Sequence, residues 1–182
     1  FLILLAAGEG KRLKSKKPKP FISINNKTLI QHSIDKFKNI KEIKKIVVVY
    51  NRKHKNRLSK LGDQNVIKIL GGKTRKDSTF LALRAIKKYN CPKVLIHDAA
   101  RPNPSKKLIH KIIAKLKNNH AVVPIIKTND ATKRVEKNMI FKNIQRNSLR
   151  FSQTPQGFTF SRIYKKHKEN VNLSFDDDSA LF

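Results

Sequence analysis

Apolar positions along the chain follow two periods. Short, mostly apolar runs stand at Phe1–Ala6, Ile46–Tyr50, Val66–Leu70 and Val94–His97. The first, ended by Gly8, reads as a buried strand; the second is β-branched, the third ends at Gly71-Gly72, and all four read as strands. Between them, apolar residues recur at three and four positions. Leu29, Ile30, Ile34 and Phe37 predict a helix over Thr28–Lys38. Leu81, Ala82, Ala85 and Ile86 predict another over Ser78–Lys88, and Leu108, Ile109, Ile112, Ile113 and Leu116 a third over Lys106–Lys117. A helix over Lys53–Leu61 and a strand over Ala121–Ile126 complete the alternation.

Strands separated by helices of about 10–15 residues mean βαβ units and a mainly parallel sheet. Right-handed crossovers put helices on both faces. The expected fold class is therefore α/β, a Rossmann-like three-layer arrangement in a single domain spanning residues 1–182. After Lys127 the pattern changes. Thr132–Val135 and Met139–Ile144 predict a polar hairpin, a β-arm over about 127–150 that protrudes from the core. Gln153–Thr159 reads as a loop and Ser161–Lys168 as a helix. The chain starts without Met and ends at Ala180-Leu181-Phe182, expected inside a helix, so a truncated C-terminus is expected.

Composition narrows the function classes. Hydrophobic residues make up 38% of 182 residues, enough for a globular core. No apolar run reaches the roughly 18–20 residues of a membrane span. The lysines follow the first apolar run, where a signal peptide would carry them before it. Cys91 is the sole cysteine, which excludes an internal disulfide and suits a reducing cytoplasm. Lys and Arg total 42 against 12 Asp and Glu, a net charge of +30 that favours anionic partners. The lysines are spread along the chain, and Asn and Ile are abundant too, so a genome-wide composition bias explains the charge equally well. A nucleic-acid-binding domain would show clustered charge with stacking aromatics; aromatics are 7% and Trp is absent.

Open parallel sheets bind ligands beyond the carboxyl ends of their strands. After the first strand comes Gly8-Glu9-Gly10-Lys11-Arg12. Such a turn lets backbone N–H groups point at a phosphate. A dinucleotide fingerprint needs a further glycine where Leu13 stands, and a Walker loop needs Gly-Lys-Ser/Thr. What remains is a glycine loop carrying Arg12 and Lys19, stiffened by Pro18 and Pro20. It fits a triphosphate, and it also fits a solvated basic loop. After the third strand comes Gly71-Gly72-Lys73-Thr74-Arg75, where paired glycines allow close approach of a flat ligand and Ser78 is placed to cap the next helix. After the fourth comes His97-Asp98-Ala99-Ala100-Arg101-Pro102. Asp98 can hold Mg²⁺ or order a substrate hydroxyl. His97 reads as structural, and no nucleophile–base–orienter set is visible. Cations, glycines and one carboxylate are the equipment of phosphate chemistry by positioning and electrostatics.

Ala6-Ala7-Gly8-x-Gly10-x-Arg12 with Pro18-Lys19 resembles the signature loop of sugar-nucleotide-type nucleotidyltransferases. Gly71-Gly72-x-x-Arg75-x-x-Ser78, His97 to Pro102, and Gln153-Thr154-Pro155-Gln156 narrow the resemblance to the 2-C-methyl-D-erythritol 4-phosphate cytidylyltransferases of the non-mevalonate isoprenoid pathway. The resemblance covers the whole chain. It implies cytidylyl transfer from CTP, with Mg²⁺ held mainly by the CTP phosphates and Asp98 as a candidate ligand. It implies that Arg12 and Lys19 stabilise charge on the α-phosphoryl group. Ala6, Ala7, Gly8, Gly10, Gly72, Arg75, Ser78 and Ala99 would hold the nucleotide. Asp98, Arg101, Thr132, Arg146 and Thr154 would face the sugar phosphate, with Arg146 reaching from the β-arm of a neighbouring subunit in a cytoplasmic homodimer. The chain departs from the family pattern in having Leu5 and Pro20, and Phe175-Asp176-Asp177-Asp178 where Thr-Asp-Asp/Glu-Ala is usual. The family also continues beyond Phe182 into a further strand and a substrate-binding lysine. A relative acting on another polyol phosphate, such as ribitol 5-phosphate, shares most of these motifs.

Overall fold

The computed structural model describes residues 1–8, 17–59, 61 and 65–182. In chain order these form β1 (Leu2–Ala6), the short pair β2 (Ser23–Ile24) and β3 (Lys27–Thr28), α1 (Leu29–Lys38), β4 (Ile46–Tyr50), β5 (Val66–Leu70) and α2 (Arg75–Ile86). They continue with β6 (Lys93–Asp98), α3 (Lys106–Lys115), β7 (Ala121–Val122), β8 (Ile125–Lys127), β9 (Thr132–Glu136), β10 (Met139–Ile144), β11 (Arg150–Ser152), β12 (Gln156–Thr159) and α4 (Phe160–Glu169).

A six-stranded sheet runs in the order β5-β4-β1-β6-β12-β7. β5, β4, β1 and β6 are mutually parallel, and β12 is antiparallel to both of its neighbours. Alternate residues of β1 serve two apolar layers, as the side-chain period of a strand dictates. Leu2 and Leu4 pack with Ile30, Ile34 and Phe37 of α1 and Ile109 and Ile112 of α3. Ile3 packs on the other face with Ala82, Leu83 and Ile86 of α2 and Ile163 of α4. The mixed, mostly parallel sheet between helices is the α/β architecture that the periodicity predicts. β9 and β10 pair as a separate antiparallel hairpin whose turn residues, Lys137 and Asn138, have φ of 47° and 63°, the left-handed backbone that two-residue hairpin turns need.

Two expectations need correcting, and two helices take the 3-10 form. The helix expected over Lys53–Leu61 is a 3-10 helix over Arg52–Leu58. Leu58 is its buried residue. Ala121–Ile126 breaks in two at Pro124, which has no N–H for a ladder; β7 pairs with β12, and β8 with β11 in a ribbon of its own. Gln153–Thr159 is not all loop, because Gln156–Thr159 enters the central sheet. The described chain ends in a short 3-10 turn over Asp178–Leu181.

Candidate active site

The parallel strands end level with one another. Ala6 lies opposite Tyr50, Tyr50 opposite Leu70, and Leu5 opposite Asp98. Beyond that edge opens a cavity of about 910 Å³. Ala7 and Gly8 follow β1 into it, Asn51 follows β4, Gly72 to Arg75 follow β5, and Asp98, Ala100 and Arg101 end β6. Lys19 and Pro20, Ser78, Ser152, Thr154 and Gln156, and Asp176 and Asp177 close the remaining sides.

The glycines fall into two kinds. A Cβ on Gly8 would meet nothing within 4 Å, so this wall is open to a ligand. A Cβ on Gly71 would lie 2.7 Å from Ala7 Cβ, and one on Gly72 would lie 2.4 Å from Asp77 Cβ. The paired glycines therefore serve the packing of the loop against its own neighbours, rather than close approach of a flat ligand alone. Thr74, not Ser78, caps α2: its hydroxyl accepts the Asp77 N–H at 3.0 Å, and Asp77 returns a bond to the Thr74 N–H at 3.1 Å. This capping box starts the helix at Arg75. Ser78 Oγ instead accepts the Gly72 N–H at 3.1 Å, tying the loop to the helix behind it.

Lys19 opens a 3-10 turn over Lys19–Phe21, entered through Pro18. Pro20 and Phe21 are buried and anchor the turn, leaving Lys19 half-buried on the cavity wall. On the floor, Asp98 Oδ2 accepts from Arg101 Nε at 3.1 Å, and Asp98 Oδ1 lies 3.9 Å from Arg75 Nε. Arg101 Nη1 donates to Gln153 Oε1 at 2.5 Å, and the Asp98 N–H reaches Thr154 Oγ1 at 3.4 Å. Opposite charges thus alternate along the cavity floor, each fixing the next. Beneath it, buried His97 contacts the Arg101 carbonyl through Nε2 at 2.8 Å. Burial pulls its pKa down to about 4, partly resisted by that carbonyl and by Asp98. The ring is neutral at pH 7 and holds the loop, the structural role expected for it.

Ala7, Gly8, Lys19, Gly72, Arg75, Ser78, Asp98, Arg101 and Thr154 are all brought together here. Gly10 and Arg12 lie outside the described residues. Ala6 and Ala99 are buried just behind the wall. The Ala99 N–H bonds Leu5 O, and its carbonyl accepts from Ser33 Oγ. Thr132 and Arg146 stand apart from the cavity, on the hairpin and at its foot, where Arg146 Nη1 contacts Asn129 O at 3.5 Å. Sequence reasoning missed the acidic contribution of the last turn. Asp176 and Asp177 line the cavity, and Asp178 binds Arg75 from behind at 2.6 Å. Burial works against the Asp177 charge, but hydrogen bonds from Ser179, Ser152 and Gln156 outweigh it and hold the carboxyl below the usual range. Three consecutive aspartates in a chain with only 12 acidic residues were a legible signal.

The whole chain, residues 1–182, matches the family described as IspD, 2-C-methyl-D-erythritol 4-phosphate cytidylyltransferase. A bifunctional enzyme IspD/IspF of Pelagibacter ubique is 44% identical over 180 residues, covering 99% of this chain and 48% of that protein. The 2-C-methyl-D-erythritol 4-phosphate cytidylyltransferase of Petrotoga mobilis is 34% identical, covering 100% of this chain and 83% of that protein. Among solved structures, the 4-diphosphocytidyl-2C-methyl-D-erythritol synthase of Anaerococcus prevotii superposes with a TM-score of 0.85 at 29% identity, over 100% of this chain and 79% of that one. The bifunctional IspDF of Campylobacter jejuni gives 0.84 at 30% identity, over 99% of this chain and 45% of that one. The chain thus spans about half the length of the bifunctional relatives and about four fifths of the single-function ones. On this footing the chain belongs to the 2-C-methyl-D-erythritol 4-phosphate cytidylyltransferase family of nucleotidyltransferases.

Proposed function

We propose that the protein transfers a cytidylyl group from CTP to 2-C-methyl-D-erythritol 4-phosphate, giving 4-diphosphocytidyl-2-C-methyl-D-erythritol and pyrophosphate. The observation that carries this reading is the convergence of residues from distant loops, among them Gly8, Lys19, Arg75, Asp98, Arg101 and Thr154, on one cavity at the carboxyl edge of the sheet. An oxygen of the acceptor phosphate attacks the α-phosphorus, the bond to the β-phosphate oxygen breaks, and pyrophosphate leaves with the electron pair. Lys19, joined by Arg12, stabilises the charge that builds on the α-phosphoryl oxygens. Gly8, Gly10, Gly72, Arg75 and Ser78 seat the nucleotide. Asp98, Arg101 and Thr154 orient the acceptor. Thr132 and Arg146, on and beside the hairpin, act on the acceptor of a neighbouring subunit in a homodimer.

Asp98 is engaged by Arg101, and among the described residues no group of three His, Cys, Asp or Glu is placed to hold a metal ion. That donor set fits a divalent ion arriving on the triphosphate, with Asp98 offering it a protein oxygen. When bound there, Mg²⁺ would supply neutralisation of phosphate charge, held by the triphosphate oxygens and Asp98. Among the described residues no helix is long and apolar enough to cross a membrane, and the lone Cys91 is free and buried.

The test is pyrophosphate release from CTP, with 2-C-methyl-D-erythritol 4-phosphate and ribitol 5-phosphate as rival acceptors. The first is expected to turn over and the second not. Lys19→Ala is expected to slow transfer about 10²–10³-fold, the usual loss of one fixed charge-stabilising donor, with an unchanged melting curve. Absence of turnover with the first acceptor overturns the reading, and a near-normal rate in Lys19→Ala overturns the role of Lys19.

A further inference from the structure

We propose that Asp178 and His167 form a buried clamp that fixes the Arg75 guanidinium at the cavity wall, so that both are positioning residues for the nucleotide. The identity of that ligand rests on the cytidylyltransferase reading.

Asp178 is 0% exposed. A carboxylate so placed is costly unless fully partnered. It has a partner on each oxygen: Oδ2 accepts from Arg75 Nη1 at 2.6 Å, and Oδ1 contacts His167 Nε2 at 3.0 Å. His167 is itself buried. Its ring stacks on Phe80 at 5.9 Å and meets Phe175 edge-on at 5.7 Å. Among the described residues its Nδ1 has no hydrogen-bond partner, so Asp178 is the polar contact that orients the ring. Well-packed apolar residues often match or exceed the stability of a buried ion pair. What the charged group adds here is a fixed direction.

That direction is toward the cavity. Arg75 lines it, with Nη1 held from behind by Asp178 and Nε lying 3.9 Å from Asp98 on the floor. Contacts on two different nitrogens set the plane of a guanidinium as well as its position. A long, rotamer-rich side chain is thereby ordered before any ligand arrives, which removes part of the cost of binding. The next residue secures the same junction. Lys76 Nζ donates to the carbonyls of Asn170, Val171 and Leu173, at 3.4 Å for the first and 2.8 Å for the last. The first turn of α2 therefore grips the segment that carries Asp178 at two points.

The experiment is a double-mutant cycle read by CTP binding, with the Arg75 guanidinium N–H resonances as a second readout that needs no nucleotide. Asp178→Asn keeps the size of the side chain and removes its charge. It is expected to weaken CTP binding about tenfold, the loss expected when one hydrogen bond of a charged group is disturbed. It is expected to broaden the Arg75 resonances, and to cost nothing further in CTP affinity once Arg75→Ala is present. His167→Phe keeps the aromatic slot filled and is expected to broaden the same resonances with a smaller loss of affinity; it carries the test if Asp178→Asn fails to fold. An additive loss in the Arg75→Ala background, or Arg75 resonances that stay sharp in both variants, overturns the clamp. Resonances that broaden as expected in a protein that binds no CTP support the clamp and overturn the cytidylyltransferase reading instead.

Discussion

His97 shows how a buried side chain can hold a loop of the site without lining the cavity. It is 0% exposed, its ring centroid is 5.0 Å from that of Phe37, and its Nε2–H is directed at the Arg101 carbonyl. Burial disfavours the imidazolium, so the folded pKa is about 4 against 6.5 for the free side chain. Between those values the unfolded chain binds the proton and the folded chain does not. Stability from this group is therefore complete above about pH 6.5 and is lost as pH falls toward about 4. The loss between pH 7 and pH 5 is expected to be about 2 kcal/mol. Urea unfolding at the two pH values checks it: His97→Gln, whose amide can still donate to the Arg101 carbonyl, is expected to lack that part of the slope. Equal slopes in both proteins would refute the assignment. The structural reading of His97 was available from sequence because His97 and Asp98 lack the spacing of a zinc site. The aspartate run was visible in the sequence, but the pairing of Asp178 with Arg75, 103 positions away, was not.

Among the elements, those made by local pattern were readable. β1, β4, β5 and β6 are apolar runs, and α1 and α3 carry apolar stripes above good caps. β12 was not readable, because Thr-Pro-Gln-Gly has the composition of a turn. Its four residues become a strand by pairing with β6 on one side and β7 on the other, partners that no local window contains. Gly157 makes the fit possible. A Cβ there would lie 2.7 Å from both Ile112 Cγ2 and Leu116 Cδ1. Both side chains are 2% exposed, so neither can swing into solvent. Gly157→Ala is expected to destabilise the fold by about 1–3 kcal/mol through overpacking, visible as a lower urea midpoint at constant slope. Because Thr154 and Gln156 line the cavity just before this glycine, the same variant is expected to raise the KM for the acceptor. An unchanged midpoint would mean that α3 yields where the packing says it cannot.

At the scale of the whole molecule, charge and the hairpin pull in opposite directions. Val135, Met139, Ile140 and Phe141 are each more than half exposed on β9 and β10. A two-stranded hairpin is marginal by itself, and clustered apolar side chains on a surface mark a contact face. Pairing of hairpins in the proposed homodimer would cover them. Yet each copy carries a formal charge of +30, and two such bodies repel over roughly a Debye length, about 10 Å at 0.1 M salt. Raising the salt screens that repulsion and leaves apolar burial intact, so the dimer is expected to tighten as salt increases. The same salt screens attraction between the basic protein and a triphosphate, so the KM for CTP is expected to rise. Sedimentation and steady-state kinetics across one salt series read both trends on one preparation. Ile140→Asp combined with Phe141→Asp adds two desolvated carboxylates to the contact face. It is expected to yield monomers at every salt concentration, while the salt dependence of CTP binding persists, because the cavity is lined by residues of one chain. A double variant that still sediments as a dimer would remove the hairpin from the interface, and with it the reason for placing Arg146 at the acceptor of a neighbouring subunit.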